Sequence, residues 1–141
     1  MAGIILRIKL ETHGQGLFEI TQQVKAQLNA AISAGGEPSG LCNLFVRHTS
    51  CSLLIQENAD PSARLDLQNW LNRLVPENDR LYTHTFEGAD DMPAHIKSML
   101  TATQLAVPYE NGKLLLGTWQ GIFLWEHRHA SQRRELILHL H

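Results

Sequence analysis

The chain has 141 residues, 43% of them hydrophobic and 18% charged, with a net charge of −2 when histidine is neutral. That length and composition fit one folded domain spanning residues 1–141 and exclude a disordered chain. The slightly acidic balance argues against a general nucleic-acid binder, which carries a basic face, and no apolar run is long enough to span a bilayer.

Residues 4–10 alternate: Ile4, Leu6, Ile8 and Leu10 share one face, Arg7 and Lys9 the other, the period of a half-buried strand. Gly14 and Gly16 break the pattern. Across 18–33, Ile20, Val24, Leu28 and Ile32 recur at helical spacing, and Gly35-Gly36 ends the helix. The apolar runs 41–47 and 52–56 predict two strands, with His48-Thr49-Ser50-Cys51 as a bend or bulge between them. Asp60-Pro61 starts a helix, Asp60 as N-cap and Pro61 in the first turn. Leu65, Leu67, Trp70, Leu71 and Leu74 form its expected buried stripe, and Pro76 closes it.

A polar stretch runs from Glu77 to Asp91. Met92-Pro93 opens a second, shorter helix expected to turn Ile96, Met99 and Leu100 inward, leaving His95 and Lys97 off the stripe's centre. Asn111-Gly112 between apolar runs predicts a hairpin. Residues 118–126 and 133–140 read as two further strands joined by a polar turn around Ala130-Ser131. Strands outnumber helices and show no βαβ rhythm. The fold class is therefore α+β, a mostly antiparallel sheet with interspersed helices packed on it.

Cys42 and Cys51 form neither a disulfide framework nor a paired metal-binding spacing, which indicates a reducing compartment. With no N-terminal signal visible, the expected location is the cytoplasm.

Three polar segments carry chemistry, and the chain's eight histidines make metal binding or proton transfer worth testing. In His48-Thr49-Ser50, hydroxyls beside an imidazole suit a phosphate, a carbonyl or a metal-bound water; a strand end whose hydroxyls bond the backbone explains them equally. Glu57-Asn58-Ala59-Asp60 either ligates a cation or caps a helix; capping accounts for Asp60 but less well for Glu57 and Asn58. His84 and His95 are too far apart for a helical pair, so a shared metal needs loop geometry and a third ligand such as His48. Asp90 or Asp91 then orients a histidine, or Asp91 stabilises a helix N-terminus. Gly117-Thr118-Trp119-Gln120-Gly121 suggests close backbone approach or a glycine bulge. His127-Arg128-His129 reads as a solvated strand end.

Taken together, His48-Thr49-Ser50-Cys51-Ser52, Glu57-Asn58-Ala59-Asp60-Pro61, Asp90-Asp91-Met92-Pro93-Ala94-His95-Ile96 and Gly117-Thr118-Trp119-Gln120-Gly121 resemble the YjbQ family, in order and over nearly the whole chain. These small bacterial and archaeal proteins are often labelled secondary thiamine-phosphate synthases. The resemblance implies an α+β homotrimer whose motif residues converge in one pocket, either within a chain or at a subunit interface. His48, His84 and His95 are then the candidates for a metal or anion site. Glu57, Asn58, Asp91, Thr118 and Gln120 would line it, Glu57 and Asp91 as the catalytic carboxylates, while Thr49, Ser50, Asn58, Thr118 and Gln120 would hold a small-molecule substrate. Cys51 departs from the expected Ala and would add a thiol near the site.

The family's labelled activity joins a pyrimidine diphosphate to a thiazole phosphate. Mg²⁺ on Glu57 and Asp91, with Lys97 or Arg47 nearby, would stabilise the leaving diphosphate. Dedicated enzymes for this step resemble TIM barrels, which 141 residues cannot build, so a weak side activity is the expectation. The competing readings are a zinc-dependent hydrolase of a small substrate, with zinc rather than magnesium as the divalent metal, and a non-enzymatic metal- or ligand-binding trimer.

Overall fold

The N-terminal alternation forms strand β1 (Ile4–Thr12) in the computed structural model, which describes residues 3–141. There follow β2 (Gly16–Glu19), α1 (Thr21–Ser33), β3 (Gly40–Val46), β4 (Cys51–Glu57), α2 (Pro61–Leu74), α3 (Asp91–Leu100), β5 (Gln104–Glu110), β6 (Lys113–Leu114), β7 (Gln120–Glu126) and β8 (Gln132–Leu140). The fold is α+β. The strands form two antiparallel sheets, ordered β1-β8-β3-β5-β6 and β2-β7-β4. The expected start of the first helix at residue 18 is corrected: Leu17 and Phe18 belong to β2, paired with Trp125 and Leu124, and the helix begins at Thr21.

One apolar core joins the two sheets and α1. It holds Val24 and Leu28 of α1, Leu44 and Leu138 of the larger sheet, and Leu53 and Ile122 of the smaller, all essentially inaccessible. Each such side chain contributes about 1.5–3 kcal/mol through removal from water. A second cluster, Leu71, Val75 and Trp125, lies where α2 covers the smaller sheet. Strand β7 therefore packs on both faces, and every residue from Gly121 to Glu126 is buried.

Consecutive strands β3 and β4 lie in different sheets, as do β7 and β8. Two of the passages from one sheet to the other lie at residues 47–50 and 127–131. The two corners touch, with the His127 amide donating to the Ser50 carbonyl at 3.3 Å. Strand alternation cannot continue through such a corner, so side chains there are free to point at elements other than a sheet neighbour.

The helix starts follow from local chemistry. The Asp60 carboxylate accepts the Ser62 amide at 2.9 Å, and Pro61 sits where its missing N–H is harmless. The expected burial stripes are corrected on both later helices. Leu71 is buried on α2, whereas Leu65, Trp70 and Leu74 are exposed. On α3 the buried residues are Asp91, Pro93, Ala94, Lys97 and Ser98, while Met99 and Leu100 face solvent. Helix α3 thus turns a polar face inward, toward the two corners. Among the described residues, no helix is long and apolar enough to cross a membrane.

Candidate metal centre

Asp91 and His95 stand one helical turn apart at the start of α3, so both project from the same face. His84 reaches them from the loop before the helix. Gly88 makes this possible: its φ of +110° suits glycine, and its carbonyl accepts the Asp91 amide at 3.3 Å, folding the loop back over the helix start. The ligand-type atoms of His84, Asp91 and His95 all lie within 4.8 Å of one another. His84 Nε2 is 2.7 Å and His95 Nε2 3.4 Å from Asp91 Oδ2. The Asp91 side chain is 3% exposed, against 51% for His84 and 32% for His95, so the cluster has a carboxylate floor and an open, imidazole-lined mouth.

Neighbouring groups fix which atoms face the centre. His95 Nδ1 lies 3.1 Å from the Thr49 carbonyl. A carbonyl only accepts, so Nδ1 carries a proton and Nε2 is the nitrogen turned to Asp91. Arg128 donates to Asp91 Oδ1 at 2.8 Å and to Asp90 Oδ2 at 3.0 Å, leaving Asp91 Oδ2 for the centre. Asp91 Oδ2 and the Nε2 atoms of His84 and His95 therefore face one another, an arrangement that either a metal ion between them or protons on the imidazoles would satisfy. A backbone carbonyl behind one histidine and a guanidinium behind the carboxylate are the supports that orient metal ligands.

Arg128 was expected on a solvated strand end. Its side chain is instead 15% exposed, and it ties the second corner to the His84 loop through the Glu87 carbonyl at 2.8 Å. Burial alone would raise the Asp90 pKa. The His129 amide and Arg128 outweigh burial and hold it below the usual carboxylate value. The local signal was slight: a basic residue just past a strand whose apolar run is continuous on both faces.

The other motif residues divide between two places. His48 is not part of the histidine–aspartate cluster, which corrects the three-histidine set. At the first corner its ring turns toward β8, and Nε2 accepts the Glu135 amide at 2.8 Å. Ser50 Oγ accepts from Arg134 at 3.0 Å, and Thr49 contributes its carbonyl to His95. Glu57, Asn58, Thr118 and Gln120 gather at the opposite end of β4. Glu57 pairs with Gln120, whereas Cys51 pairs with Glu126. Six residue steps of strand separate the ends by about 20 Å. A Mg²⁺ ion held jointly by Glu57 and Asp91 of one chain is therefore ruled out, and so is a single pocket within one chain.

The far end has its own network, which includes three residues that sequence reasoning missed, Glu19, Thr21 and Arg64. Glu19 Oε2 accepts from Thr21 Oγ1 at 2.8 Å and from Asn58 Nδ2 at 3.1 Å, and Arg64 lies 3.8 Å from its other oxygen. Gln120 Oε1 accepts the Gly117 amide at 2.8 Å. The expected close approach is realised at Gly121, where an added Cβ would fall 2.7 Å from Glu19 Oε2.

Behind the two corners lies a buried polar layer. Arg134 pairs with Glu126, which also accepts from Thr12 Oγ1 at 2.6 Å. His127 is fully buried and hydrogen-bonds Ser52 Oγ through Nε2 at 2.9 Å. Burial foremost, then the Lys97 and Arg134 charges, push its pKa down to about 3, so it is neutral. Burial pushes the Cys51 thiol up to about 12, which removes it as a nucleophile. Lys97 is buried too and donates to Asn72 Oδ1 at 2.5 Å, so it is no free partner for a diphosphate.

Residues 6–141 match the family described as UPF0047 protein YjbQ-like. A UPF0047 protein of Synechocystis is 50% identical over 93% of this chain and 86% of its own length. The UPF0047 protein YjbQ of Escherichia coli O157:H7 is 41% identical over 90% of each. Among solved structures, a conserved hypothetical protein of Thermus thermophilus superposes with a TM-score of 0.83 at 38% identity, covering 96% of this chain and 99% of that one. A YjbQ/UPF0047 family protein of Clostridium acetobutylicum gives 0.85 at 31% identity, with 96% and 99% covered. The chain belongs to the YjbQ-like UPF0047 family.

Proposed function

We propose that the chain binds one divalent transition-metal ion through His84 Nε2, Asp91 Oδ2 and His95 Nε2, and that this centre hydrolyses a small substrate. The supporting observation is the facing pair described above, His95 Nε2 toward Asp91 Oδ2, each held from behind by Thr49 and Arg128. Two imidazoles and a carboxylate suit zinc and its neighbours. Magnesium prefers oxygen ligands and keeps its waters, so it is the poorer fit. Three protein ligands with an open mouth match the pattern of catalytic rather than structural zinc sites. An ion there supplies a water acidified to near neutrality.

The chain's own groups do the rest. Asp91 gives the centre one negative charge, which Arg128 partly offsets from the far oxygen. Half-exposed His84 leaves the approach open to a small molecule. Formation of thiamine phosphate rests on the family likeness alone and stays a second reading. So does the homotrimer; exposed Phe86 and Leu81 beside the His84 loop, and Trp119 at the far end, favour an assembly.

The test is turnover of chromogenic carboxylic and phosphate esters by zinc-loaded protein. Zinc-dependent hydrolysis lost in Asp91→Asn and His95→Ala is expected. Zinc binding without any hydrolysis would overturn the hydrolase and leave the non-enzymatic metal-binding trimer. Coupling of a pyrimidine diphosphate to a thiazole phosphate, lost in the same variants, would favour the transferase reading.

A further inference from the structure

His48, displaced from the metal set, has a different use. Its Nε2 accepts the Glu135 amide, so the neutral ring carries its proton on Nδ1, and that N–H has no acceptor among the described residues. Burial, reinforced by Arg134 and opposed by Glu126 and Glu135, lowers its pKa and keeps this tautomer at neutral pH.

The ring lines a cavity of about 500 Å³ bounded by Phe45, Val46, Arg47, His48, Thr49, Ser50, Thr103 and Arg134. No carboxylate lines it, on a chain whose net charge is −2. Arg47 spends one nitrogen on Glu135 at 2.9 Å, leaving its other N–H groups free, while the Thr49 and Thr103 hydroxyls have no partner among the described residues. Arg134 lies behind, its charge balanced by Glu126 and its guanidinium anchored on Ser50.

We propose that this cavity is an oxyanion site for a phosphate group, held by Arg47, the Nδ1–H of His48 and the hydroxyls of Thr49 and Thr103. A guanidinium and three neutral donors around an open depression are the groups that recognise a phosphate, which would compete with Glu135 for Arg47. Half-exposed Phe45 gives an apolar wall for an organic ester group. Thr49 joins the two sites: it lines the cavity, and its carbonyl holds His95. A phosphorylated small molecule seated here extends toward the metal centre, but the site itself needs no metal.

The experiment titrates inorganic phosphate, and separately phenyl phosphate, into chelator-treated full-length protein by calorimetry. Saturable binding is expected, weakened about tenfold or more in Arg47→Gln, as removal of a charge-assisted hydrogen bond requires, and weakened in Thr49→Val. Lys113→Gln, which removes the same charge at a distant exposed position, leaves it unchanged. Far-ultraviolet dichroism verifies that each variant is folded. Tighter phenyl phosphate assigns the site to an esterified ligand, and equal affinities assign it to free phosphate. No saturable binding by the wild-type chain, or equal binding by Arg47→Gln and Lys113→Gln, overturns the proposal. Because metal is absent throughout, the result is independent of the metal centre.

Discussion

The Nδ1–H of His95 donates to the carbonyl of Thr49 at 3.1 Å, joining helix α3 to the corner where the chain leaves one sheet for the other. This bond decides which nitrogen of His95 faces Asp91. It also explains why a site on a helix depends on a segment 46 residues earlier.

Arg128 is expected to be the structural keystone of the centre. Replacing it by Met leaves Asp90 and Asp91 charged and nearly buried without a counter-ion. Urea unfolding should show a loss of about 3 kcal/mol, the cost of breaking a buried pair from one side. Zinc affinity should fall about 10–100-fold, because the support of a ligand is gone. Wild-type stability in the variant would show that water already screens these carboxylates.

The stability of the chain should depend on pH through His127. Its folded pKa is about 3 against an ordinary value of 6.5. Above pH 6.5 neither state takes up a proton and His127 has no effect. Between 6.5 and about 3 only the unfolded chain is protonated, so stability falls as pH drops, by about 1.4 kcal/mol per pH unit for one group. His127→Gln should remove that component from unfolding free energies measured between pH 7 and 4. An unchanged slope would mean that His127 titrates normally in the folded protein.

Gly121 should not tolerate a methyl group. In Gly121→Ala the new Cβ meets Glu19 Oε2 at 2.7 Å and Asn58 Cβ at 2.8 Å. Neither can move without breaking the Glu19–Asn58 bond, so a destabilisation of about 1–3 kcal/mol is expected in thermal or urea unfolding. The metal site, at the other end of β4, should keep its zinc.

Much of the fold was legible because local chemistry decides it. Alternation gave β1, Asp60-Pro61 gave the start of α2, and Asn111-Gly112 gave the β5–β6 turn, with Asn111 at φ 51° and Gly112 at 78°. What escaped depends on distant packing. The apolar stripe of α2 was visible, but a stripe does not say whether its partner lies in the same chain, and Trp70 and Leu74 are exposed. Met99 and Leu100 misled in the same way, because α3 buries Lys97 and Ser98 against the polar layer instead. His84 and His95 were picked out as metal candidates, and Asp91 as a catalytic carboxylate, through the motif resemblance rather than through spacing. His48 and Arg128 were misassigned for one shared reason: both sit at corners between sheets, where strand periodicity gives no direction for a side chain.

In the proposed assignment His84, Asp91 and His95 hold the metal, and His48 and Glu57 do not. Zinc content and competition-measured affinity of untagged protein test it most directly. A single zinc ion per wild-type chain is expected, lost or weakened by orders of magnitude in His84→Ala, Asp91→Ala and His95→Ala. Zinc should be retained in His48→Gln and Glu57→Gln. Absence of zinc binding by the wild-type protein, or loss in His48→Gln equal to that in His95→Ala, would contradict the account.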